Sequence, residues 1–422
     1  MGCWVLSVRI YDGVHGYVEL SEVEARIIDV PVFQRLRRIK QLSAAWLVYP
    51  DATHTRFGHS IGALHVMSRV VDKLVKMGIV PRDDVDLLRV SALLHDIGHY
   101  PYSHTFEGIY LSRLGNEASH ESLGRYLILN YGEIRDILEE YGINPHEVVK
   151  ILEGRHEENL YNSLLSSDID VDRMDYLPRD ALHTGVSYGL IDIDRILDTL
   201  TVDDEGNLCI LVKGLQAIEN LYLARLHMYQ AVYYHKTIIA YEVLLRRIFE
   251  RLVDELEELR TLNNINNLKK YLLSEDYVYW DDYWVHSKLY NMLKSKTVDE
   301  ETKRMIKLFL DRKGLKLVAD FSKFSNKPVS AEEYYLLDDV RERIVNSGVP
   351  ENAVIVFADS IPVIKEEEAV KVVVGGECIN ILSPKLNTII RYIPRFYMVL
   401  RIYVDPLYSK LAQEVVRGFR AK

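Results

Sequence analysis

Seven of the chain's 14 histidines lie between residues 54 and 120, at positions 54, 59, 65, 95, 99, 104 and 120. A neutral imidazole offers one ring nitrogen to a metal ion, and a carboxylate beside it offers oxygen. The centre of the cluster is LLHDIGHYPYSH, where His95 and Asp96 follow two apolar residues. A buried Asp needs a partner, and a metal ion is the strongest one. The cluster indicates a metal site, and a helix-capping Asp beside a core His is the alternative interpretation.

The helix that leads to His95 and Asp96 must end there if both side chains are to reach one ion. Adjacent helical residues diverge by about 100°, so the ion would have to lie over the end of the helix. Gly98 predicts that end, and Asp83 or Asp84 is expected to cap the start. The segment TRFGHSIG places His59 at the start of a second helix.

Two further helical patterns carry polar side chains on one face, at the spacing i, i+4, i+8, i+11. The two sets are Asp172, Tyr176, Asp180 and His183, and Arg225, Tyr229, Tyr233 and Lys236. Walls of a polar pocket, which would hold phosphates and a sugar, are one interpretation. The alternatives are an exposed acidic stripe for the first set and an aromatic core stripe with snorkelling cations for the second.

The elements that would position these residues are mainly helices. Residues 1–20 read as a hairpin with a turn near Gly13, and the pattern is helical from about 21 to 260. Smaller helices follow to about 320, and β-rich runs bounded by Gly, Pro, Asp and Asn begin after about 325. We predict a mainly α fold with a helical core (1–260), a helical extension (261–325) and a smaller α+β C-terminal subdomain (326–422). Helices are expected at 60–77, 119–131, 134–141, 146–152 and 167–183, with a long pattern at 215–259 that is broken in its middle.

Charge and composition limit the partners. Hydrophobic residues make up 48% of the 422 residues, and the formal net charge of -10 argues against an extended face for nucleic acid. The three cysteines are odd in number and far apart, so we expect neither a metal-spaced pair nor a disulfide framework. No apolar run approaches the roughly 18 residues that cross a bilayer. A reducing cytoplasm and no membrane partner are the resulting expectations.

The order of RFGHS, LLHDIGHYPYSH and DIDVDRMDY resembles the HD-domain deoxynucleoside triphosphate (dNTP) triphosphohydrolases. The resemblance begins at IYDGVHGYVEL, continues through IIDVPVFQRLRRIKQLS and reaches NLYLARLHMYQAVYYHK, so it covers roughly residues 8–250. The His-Asp dipeptide alone is a weak motif, whereas these blocks in this order are a strong match to the family. The β-rich C-terminal region carries no recognisable motif.

The resemblance implies a role for each matching residue. The metal ligands would be His59, His95, Asp96 and Asp172. Catalytic residues around the scissile phosphate would be His99, His104 and His120, with His104 as the acid for the leaving group. Arg56 would contact the α-phosphate, and the outer phosphates would be held by Arg173, Tyr176 and Arg225. Substrate sugar contacts would come from Gln41, Leu42, Asp180 and Tyr233, with Leu42 and Tyr233 crowding the 2′ position.

The same resemblance implies one divalent ion, with a second Mg²⁺ alongside the substrate phosphates. The mixed His and carboxylate set leaves the identity of the first ion open among Mn, Fe, Ni, Zn and Mg. Attack at the α-phosphate would release a deoxynucleoside and inorganic triphosphate. A dimer or tetramer of identical chains is expected. Asp29, Gln34 and Arg37 match positions that bind an activating guanine nucleotide in the vertebrate member. The alternative for these three residues is a basic helix that only packs near the active site or an interface.

The chain departs from the vertebrate pattern at three positions. Arg173 replaces a Lys, which keeps the charge and changes the geometry. Tyr229 replaces a His, and Pro178 is expected to kink the helix that carries Asp172. Two other functions stay open, namely a different HD phosphohydrolase that acts on another nucleotide and a nucleotide-sensing module without catalysis.

Overall fold

The N-terminal hairpin is the first element of the computed structural model, which describes residues 8–365 and 369–420. Strand β1 (Val8–Asp12) pairs antiparallel with β2 (Gly16–Leu20), as predicted. Helix α1 (Glu22–Asp29) begins at Ser21, whose side chain and that of Glu24 cap each other's backbone amides. Helix α2 (Pro31–Gln34) has Pro in its first turn and continues as a 3-10 turn over Arg35–Arg38.

A helical core follows the hairpin. Its helices are α3 (Arg56–Lys76), α4 (Val85–Leu94), α5 (His104–Leu114), α6 (His120–Asn130), α7 (Gly132–Glu140), α8 (Pro145–Leu152), α9 (Asn159–Leu165), α10 (Val171–Thr184) and α11 (Ile193–Thr199). The predictions at 60–77, 119–131, 134–141 and 146–152 are confirmed. The helix expected at 167–183 is confirmed except for its start, because Asp170 caps the helix by accepting a hydrogen bond from the amide of Arg173, so α10 begins four residues later than predicted. Helix α10 continues through Pro178 to Thr184.

The long pattern at 215–259 is broken in its middle, as predicted. A short hairpin of β3 (Leu200–Val202) and β4 (Leu208–Leu211) precedes α12 (Leu215–Met228). A π-helical turn over Tyr229–Tyr233 ends α12, and α13 (Lys236–Glu255) restarts at His235, whose side chain accepts from the amide of Thr237. Helix α14 (Glu257–Arg260) closes the segment.

The remaining chain forms a helical extension and a smaller α+β region, so the mainly α fold class is confirmed. The elements are α15 (Ile265–Leu272), α16 (Asp282–Lys294), α17 (Glu300–Leu310), β5 (Lys316–Asp320), β6 (Lys323–Ser325), α18 (Ala331–Asn346), β7 (Val354–Pro362), β8 (Lys371–Val374), β9 (Glu377–Asn380), β10 (Phe396–Val404) and α19 (Ser409–Arg420).

Two sheets organise the C-terminal region. In the first, β10 pairs antiparallel with β7 along its whole length and with β5 and β6 on its other edge. The second sheet has the order β3-β4-β8-β9, and β4 runs parallel to β8. The division of the chain at 260 and 325 stays a prediction, and the second sheet joins residues on both sides of it.

The expectation of no disulfide is wrong. Cys209 on β4 and Cys378 on β9 form a disulfide across 169 positions of sequence, with Cα atoms 6.7 Å apart. The linear spacing does not reveal this pair, because the parallel pairing of β4 with β8 and the β8–β9 hairpin bring the two cysteines together. Cys3 lies outside the described residues.

Apolar side chains bury α3 on two sides and thereby fix its position. Ile61 and Leu64 belong to a core shared with the hairpin and α13–α17, while Val66 and Met67 belong to a core shared with α10 and α12. Helix α3 packs against α4, which His95 and Asp96 directly follow, and against α10, which carries Asp172. None of the helices in 8–365 and 369–420 has both the length and the apolar character needed to cross a bilayer.

Candidate metal and phosphate site

Three of the four predicted metal ligands converge on one point. His59 lies in the first turn of α3, His95 at the end of α4 and Asp172 in the first turn of α10. The Nε2 atoms of His59 and His95 are 3.1 Å apart, and Asp172 Oδ1 lies 2.9 Å from His59 Nε2 and 3.9 Å from His95 Nε2. His95 Nδ1 lies 2.7 Å from the carbonyl of Ala92, which directs Nε2 toward the other two groups.

The fourth predicted ligand, Asp96, stands at the edge of this group. Its carboxylate is 3.5 Å from His95 Nε2 and 3.8 Å from His59 Nε2. Arg56 donates to Asp96 Oδ2 at 2.6 Å, and His99 Nε2 lies 3.1 Å from Oδ1. Although burial opposes the charge, Arg56 and the neighbouring histidines hold the pKa of Asp96 well below its usual value.

The donor set fits a divalent ion. Ligand atoms that sit about 2.1 Å from one ion, at right angles to each other, are about 3 Å apart, which matches the His59–His95 and His59–Asp172 separations. Burial disfavours a charged His59, but its hydrogen bonds to Asp172 and Asp175 raise its pKa to about 10. A metal ion requires the neutral imidazole, so it would displace this proton on binding.

A second group of imidazoles surrounds Glu107 on α5. His104 Nδ1 lies 2.9 Å from Glu107 Oε2, and His120 Nδ1 lies 2.8 Å from Oε1. Burial opposes the charge on Glu107, but these contacts hold its pKa well below the usual value. The ring of His99 stacks on that of His120 with centroids 3.9 Å apart, and burial beside Arg56 lowers the pKa of His99 well below its usual value.

The two groups open into one cleft of about 950 Å³. Among the residues that line it are the predicted sugar contacts Gln41, Leu42, Asp180 and Tyr233, together with Arg56 and Tyr176. Tyr233 donates to Asp180 Oδ2 at 2.7 Å, and His54 Nε2 lies 2.8 Å from Oδ1. The side-chain oxygen of Gln41 is buried and accepts no hydrogen bond from the described residues.

Two predicted phosphate contacts, Arg173 and Arg225, do not line the cleft. Arg225 Nη1 is 2.9 Å from Asp168 Oδ1, and Arg173 pairs with Asp170. Asp168 is fully buried and also accepts from Tyr222 at 2.7 Å. In this arrangement both guanidinium groups satisfy internal carboxylates.

The second sequence stripe is also interrupted. Tyr229 and Tyr233 line the cleft, whereas Lys236 does not. The π-helical turn and the restart of the helix at His235 change the facing of Lys236 relative to the residues before it. The interpretation of these four residues as one wall of a polar pocket therefore fails at Arg225 and Lys236.

A strained turn carries the chain from His99 to His104. Tyr102 and Ser103 have φ of 53° and 51°, in the left-handed region that non-glycine residues rarely adopt. Asp282 of α16 accepts from the amide of Tyr102 at 2.7 Å, and His286 Nε2 lies 2.5 Å from the Tyr102 hydroxyl. Arg56 Nε donates to Ser103 Oγ at 2.8 Å. These contacts stabilise a backbone conformation that costs about 1–3 kcal/mol for each such residue.

Sequence reasoning missed several buried partners of the predicted site. Glu107 lies three residues after His104, and Asp175 lies three residues after Asp172, so each is one helical turn from a predicted residue. That spacing was the available signal. For His15 and Asp168 the sequence carries no such signal, because their partners Asp175 and Arg225 are 160 and 57 positions away.

The predicted regulatory residues lie together on the surface beside α2. Gln34 accepts from Arg37 Nε at 2.8 Å, and the Arg37 guanidinium stacks 3.5 Å from the ring centre of Phe57. Asp29, at the end of α1, faces Arg37 closely enough to affect its pKa, which burial lowers overall. Their role in binding a nucleotide stays a prediction.

Comparisons with known proteins match both halves of the chain. The family profile described as HD domain matches residues 56–180, and the one described as HD associated region matches residues 191–417. An uncharacterized protein of Methanocaldococcus jannaschii is 40% identical over 276 residues, which are 64% of this chain and 56% of that protein. The deoxynucleoside triphosphate triphosphohydrolase SAMHD1 of Homo sapiens is 31% identical over 283 residues, which are 59% of this chain and 45% of that protein.

A solved structure matches nearly the whole fold. A phosphohydrolase from Bacteroides thetaiotaomicron is 26% identical, superposes with a TM-score of 0.76, and covers 94% of this chain and 100% of that one. The chain spans about half the length of the curated relatives it matches.

Proposed function

The chain belongs to the HD-domain family in which an HD associated region follows the HD domain, and from this we propose that it is a metal-dependent dNTP triphosphohydrolase. The family match confirms the resemblance predicted from the sequence motifs. The proposed reaction is attack at the α-phosphate of a dNTP, which releases a deoxynucleoside and inorganic triphosphate.

One observation carries the proposal. The imidazole nitrogens of His59 and His95 and a carboxylate oxygen of Asp172 converge on one point. His59 and Asp172 line a cleft that also contains the Asp180–Tyr233 pair. A cleft with a metal-binding wall and a polar pair that fits a sugar hydroxyl suits a nucleotide. The buried, unsatisfied oxygen of Gln41 in the same cleft supports this, because a ligand hydroxyl would satisfy it.

We assign the metal ion to His59, His95, Asp96 and Asp172. When bound, a divalent ion would polarise the phosphate and lower the pKa of a water molecule toward about 7. The mixed nitrogen and oxygen set accepts Mn, Fe, Ni, Zn or Mg, and a second Mg²⁺ with the substrate phosphates belongs to the same proposal.

The chain's own residues then orient the substrate and move a proton. Arg56 uses Nε and Nη1 on Ser103 and Asp96, which fixes the guanidinium and leaves Nη2 for a phosphate oxygen. Glu107 holds His104 through Nδ1, which leaves Nε2 to give a proton to the leaving oxygen. The side chain of His104 is 69% exposed and can reach a bound substrate.

Deoxyribose selection would rest on Leu42 and Tyr233. Tyr233 is fixed by its hydrogen bond to Asp180, and burial keeps the pKa of its phenol well above the usual value. A rigid ring beside the 2′ carbon would exclude an added hydroxyl by contact.

Because Arg173 and Arg225 are paired internally, binding of the outer phosphates by these residues requires a rearrangement around Asp168.

Product analysis tests the proposal. The purified chain is incubated with each dNTP and each ribonucleoside triphosphate in the presence of Mn²⁺ or Mg²⁺. Phosphorus NMR identifies the products. We expect inorganic triphosphate from dNTPs and little from ribonucleotides, with no turnover by a His95→Ala variant. Pyrophosphate or orthophosphate as the only product would assign the chain to another phosphohydrolase reaction. Tight nucleotide binding without any turnover would instead favour a sensing module.

Regulation and assembly extend the proposal. We infer a guanine-nucleotide activator at Asp29, Gln34 and Arg37, a homo-oligomer (dimer or tetramer) and a cytoplasmic location. Addition of GTP to an assay with a dNTP substrate is expected to raise the rate of hydrolysis. It is also expected to raise the mass of the oligomer measured by light scattering. Unchanged rates in the presence of GTP and dGTP would remove the activator site.

A further inference from the structure

A buried chain of hydrogen bonds joins the β1–β2 turn to His59. His15 in the turn places Nε2 2.7 Å from Asp175 Oδ1, and Asp175 Oδ2 lies 2.7 Å from His59 Nδ1. The three side chains are 5%, 0% and 1% exposed, respectively. The N-terminal hairpin, 160 positions away from Asp175 in sequence, is thus in polar contact with the residue behind the proposed metal site.

The same turn is tied to α10 by a second route. Arg179 donates to both oxygens of Asp175 at 2.8 and 2.9 Å and, through Nη1, to Asp12 Oδ2 at 2.9 Å. Asp12 Oδ1 accepts from the amides of Val14 and His15, both at 2.9 Å. The hydrogen bonds form a closed circuit, so a shift of the turn moves His15 and Asp175 together.

Helix α3 leaves room for this circuit. A Cβ at Gly62 would lie 1.8 Å from Asp175 Oδ1 and 2.3 Å from Arg179 Nη2. Any side chain at position 62 would therefore displace the carboxylate that contacts His59. Glycine at this position has a packing reason that is specific to the Asp175–Arg179 pair.

Whether His59 can bind a metal ion through Nε2 depends on which ring nitrogen carries the proton. Once the second proton has left His59, the acceptor at Nδ1 keeps the remaining proton there and leaves the lone pair on Nε2, which faces His95 and Asp172. Carboxylates behind metal-binding histidines fix the ring and its tautomer in this way.

We propose that Asp175 and His15 are positioning residues for His59, and that the β1–β2 turn is an outer support of the metal site. This inference rests on the metal site in the proposed function. Neither residue lines the cleft, so neither contacts the substrate.

Metal affinity tests the inference without reference to turnover. Asp175→Asn would present an amide N–H or a carbonyl oxygen where the carboxylate now accepts three partners, and a donor facing Nδ1 would force the proton to Nε2. We expect the Kd for Mn²⁺ or Co²⁺, measured by competition with a chromophoric chelator, to rise about 10–100-fold. His15→Phe keeps the ring that stacks on His65 but removes the hydrogen bond, and we expect a smaller rise in Kd.

Glu24→Gln is the matched control. Glu24 is also fully buried and binds an arginine, Arg89, at 2.6 Å, but it does not line the cleft. With chelator present and no metal bound, the control variant is expected to be less stable than the wild type. Its Kd for the metal is expected to equal the wild-type value. If both Asp175 and His15 variants also keep the wild-type Kd, the circuit is only structural and the inference is overturned.

The outcome separates this inference from the proposed function. A wild-type chain that binds metal and loses affinity on Asp175→Asn supports the positioning role even if no dNTP is hydrolysed. If Asp175→Asn does not fold, the His15→Phe value decides. A wild-type chain that binds neither Mn²⁺ nor Co²⁺ overturns the inference together with the metal site.

Discussion

Glu107 makes the positions of His104 and His120 depend on one carboxylate. Each of its oxygens contacts the Nδ1 atom of one imidazole, and the carboxylate is only 4% exposed. Both imidazoles therefore present Nε2 away from Glu107. The arrangement supports the proposal that His104 is the proton donor, with His120, which stacks on His99, held in a fixed position beside it.

His104→Gln tests the proton donor. We expect kcat to fall by about 10²–10⁴-fold, because the leaving oxygen would lose its acid, while KM changes little. Steady-state kinetics on the preferred dNTP measure both constants. His146→Gln, an exposed position on α8, is the control and is expected to match the wild type. A kcat close to wild type in His104→Gln would assign the proton to another group.

Glu242 gives a pH-dependent stability. It lines the cleft on α13, and burial raises its pKa to about 8 from the usual 4.5. The folded chain thus holds a proton that the unfolded chain has released, so the stabilising protonation is complete below about pH 4.5 and is lost as the pH rises through 8. The slope is at most about 1.4 kcal/mol per pH unit, and solvent in the cleft reduces it.

Thermal unfolding of Glu242→Gln checks this effect. The Tm of the variant is expected to rise relative to the wild type as the pH increases from about 5 to 8, because the amide carries no proton to lose. The exposed Glu332→Gln provides the comparison, and its difference from the wild type should stay constant. A constant difference for Glu242→Gln as well would contradict the prediction.

The resemblance implied both the metal ligands and the phosphate contacts, and the structure brings His59, His95 and Asp172 together but pairs the two arginines internally. His and Asp residues at the ends of apolar helices indicate possible metal ligands. Arg173 and Arg225 have the right charge for phosphate, but a fully buried carboxylate, Asp168, competes for them. Ion pairs between distant positions are a tertiary property that local spacing does not contain.

Among the elements, α6 is positioned by a close backbone contact at Gly98. From the sequence alone, Gly98 is instead expected to end the helix that leads to His95. The helix before His95 ends at Leu94, four residues before the predicted stop at Gly98. Gly98 instead allows α6 to approach, since a Cβ there would lie 2.2 Å from the carbonyl oxygen of His120 and 2.3 Å from the amide of Gly124. The glycine was identified correctly from the sequence, and its role was not.

Gly98→Ala should therefore move α6 and His120 with it. We expect a loss of about 1–3 kcal/mol in the free energy of unfolding, as for other overpacked sites, together with a lower kcat. Chemical denaturation and steady-state kinetics measure the two effects. Gly132→Ala, in the first turn of α7, has open space around its Cβ and is expected to keep the wild-type kcat. Equal behaviour of the two variants would refute the close-contact argument.

Across the whole molecule, the Cys209–Cys378 disulfide joins a hairpin beside α12 to the C-terminal strands. Cysteine count alone pointed away from it, because pairing over 169 positions depends on how the second sheet is assembled. The same reason explains why the hydrophobic pattern predicted a β-rich C-terminal region but not its sharing of a sheet with β3 and β4.

Cys209→Ser should lower stability under oxidising conditions. A cross-link between distant positions restricts the unfolded chain, and its removal typically costs about 2–4 kcal/mol. We expect a lower Tm for the variant than for the wild type, and a reductant should remove the difference. Cys3→Ser leaves both partners in place and is the control. A wild-type Tm that is insensitive to reductant would contradict this prediction.

The turn at Tyr102 and Ser103 has a consequence for how such proteins can be recombined. Asp282 and His286, which hold the turn, lie beyond the HD domain match, within the HD associated region. A chimera that takes residues 56–180 from one relative and the remainder from another would thus inherit the loop between His99 and His104 without the residues that hold it. Crossovers should be tolerated only when the donor of α16 matches the donor of the loop, so the two segments are expected to evolve as a single heritable unit.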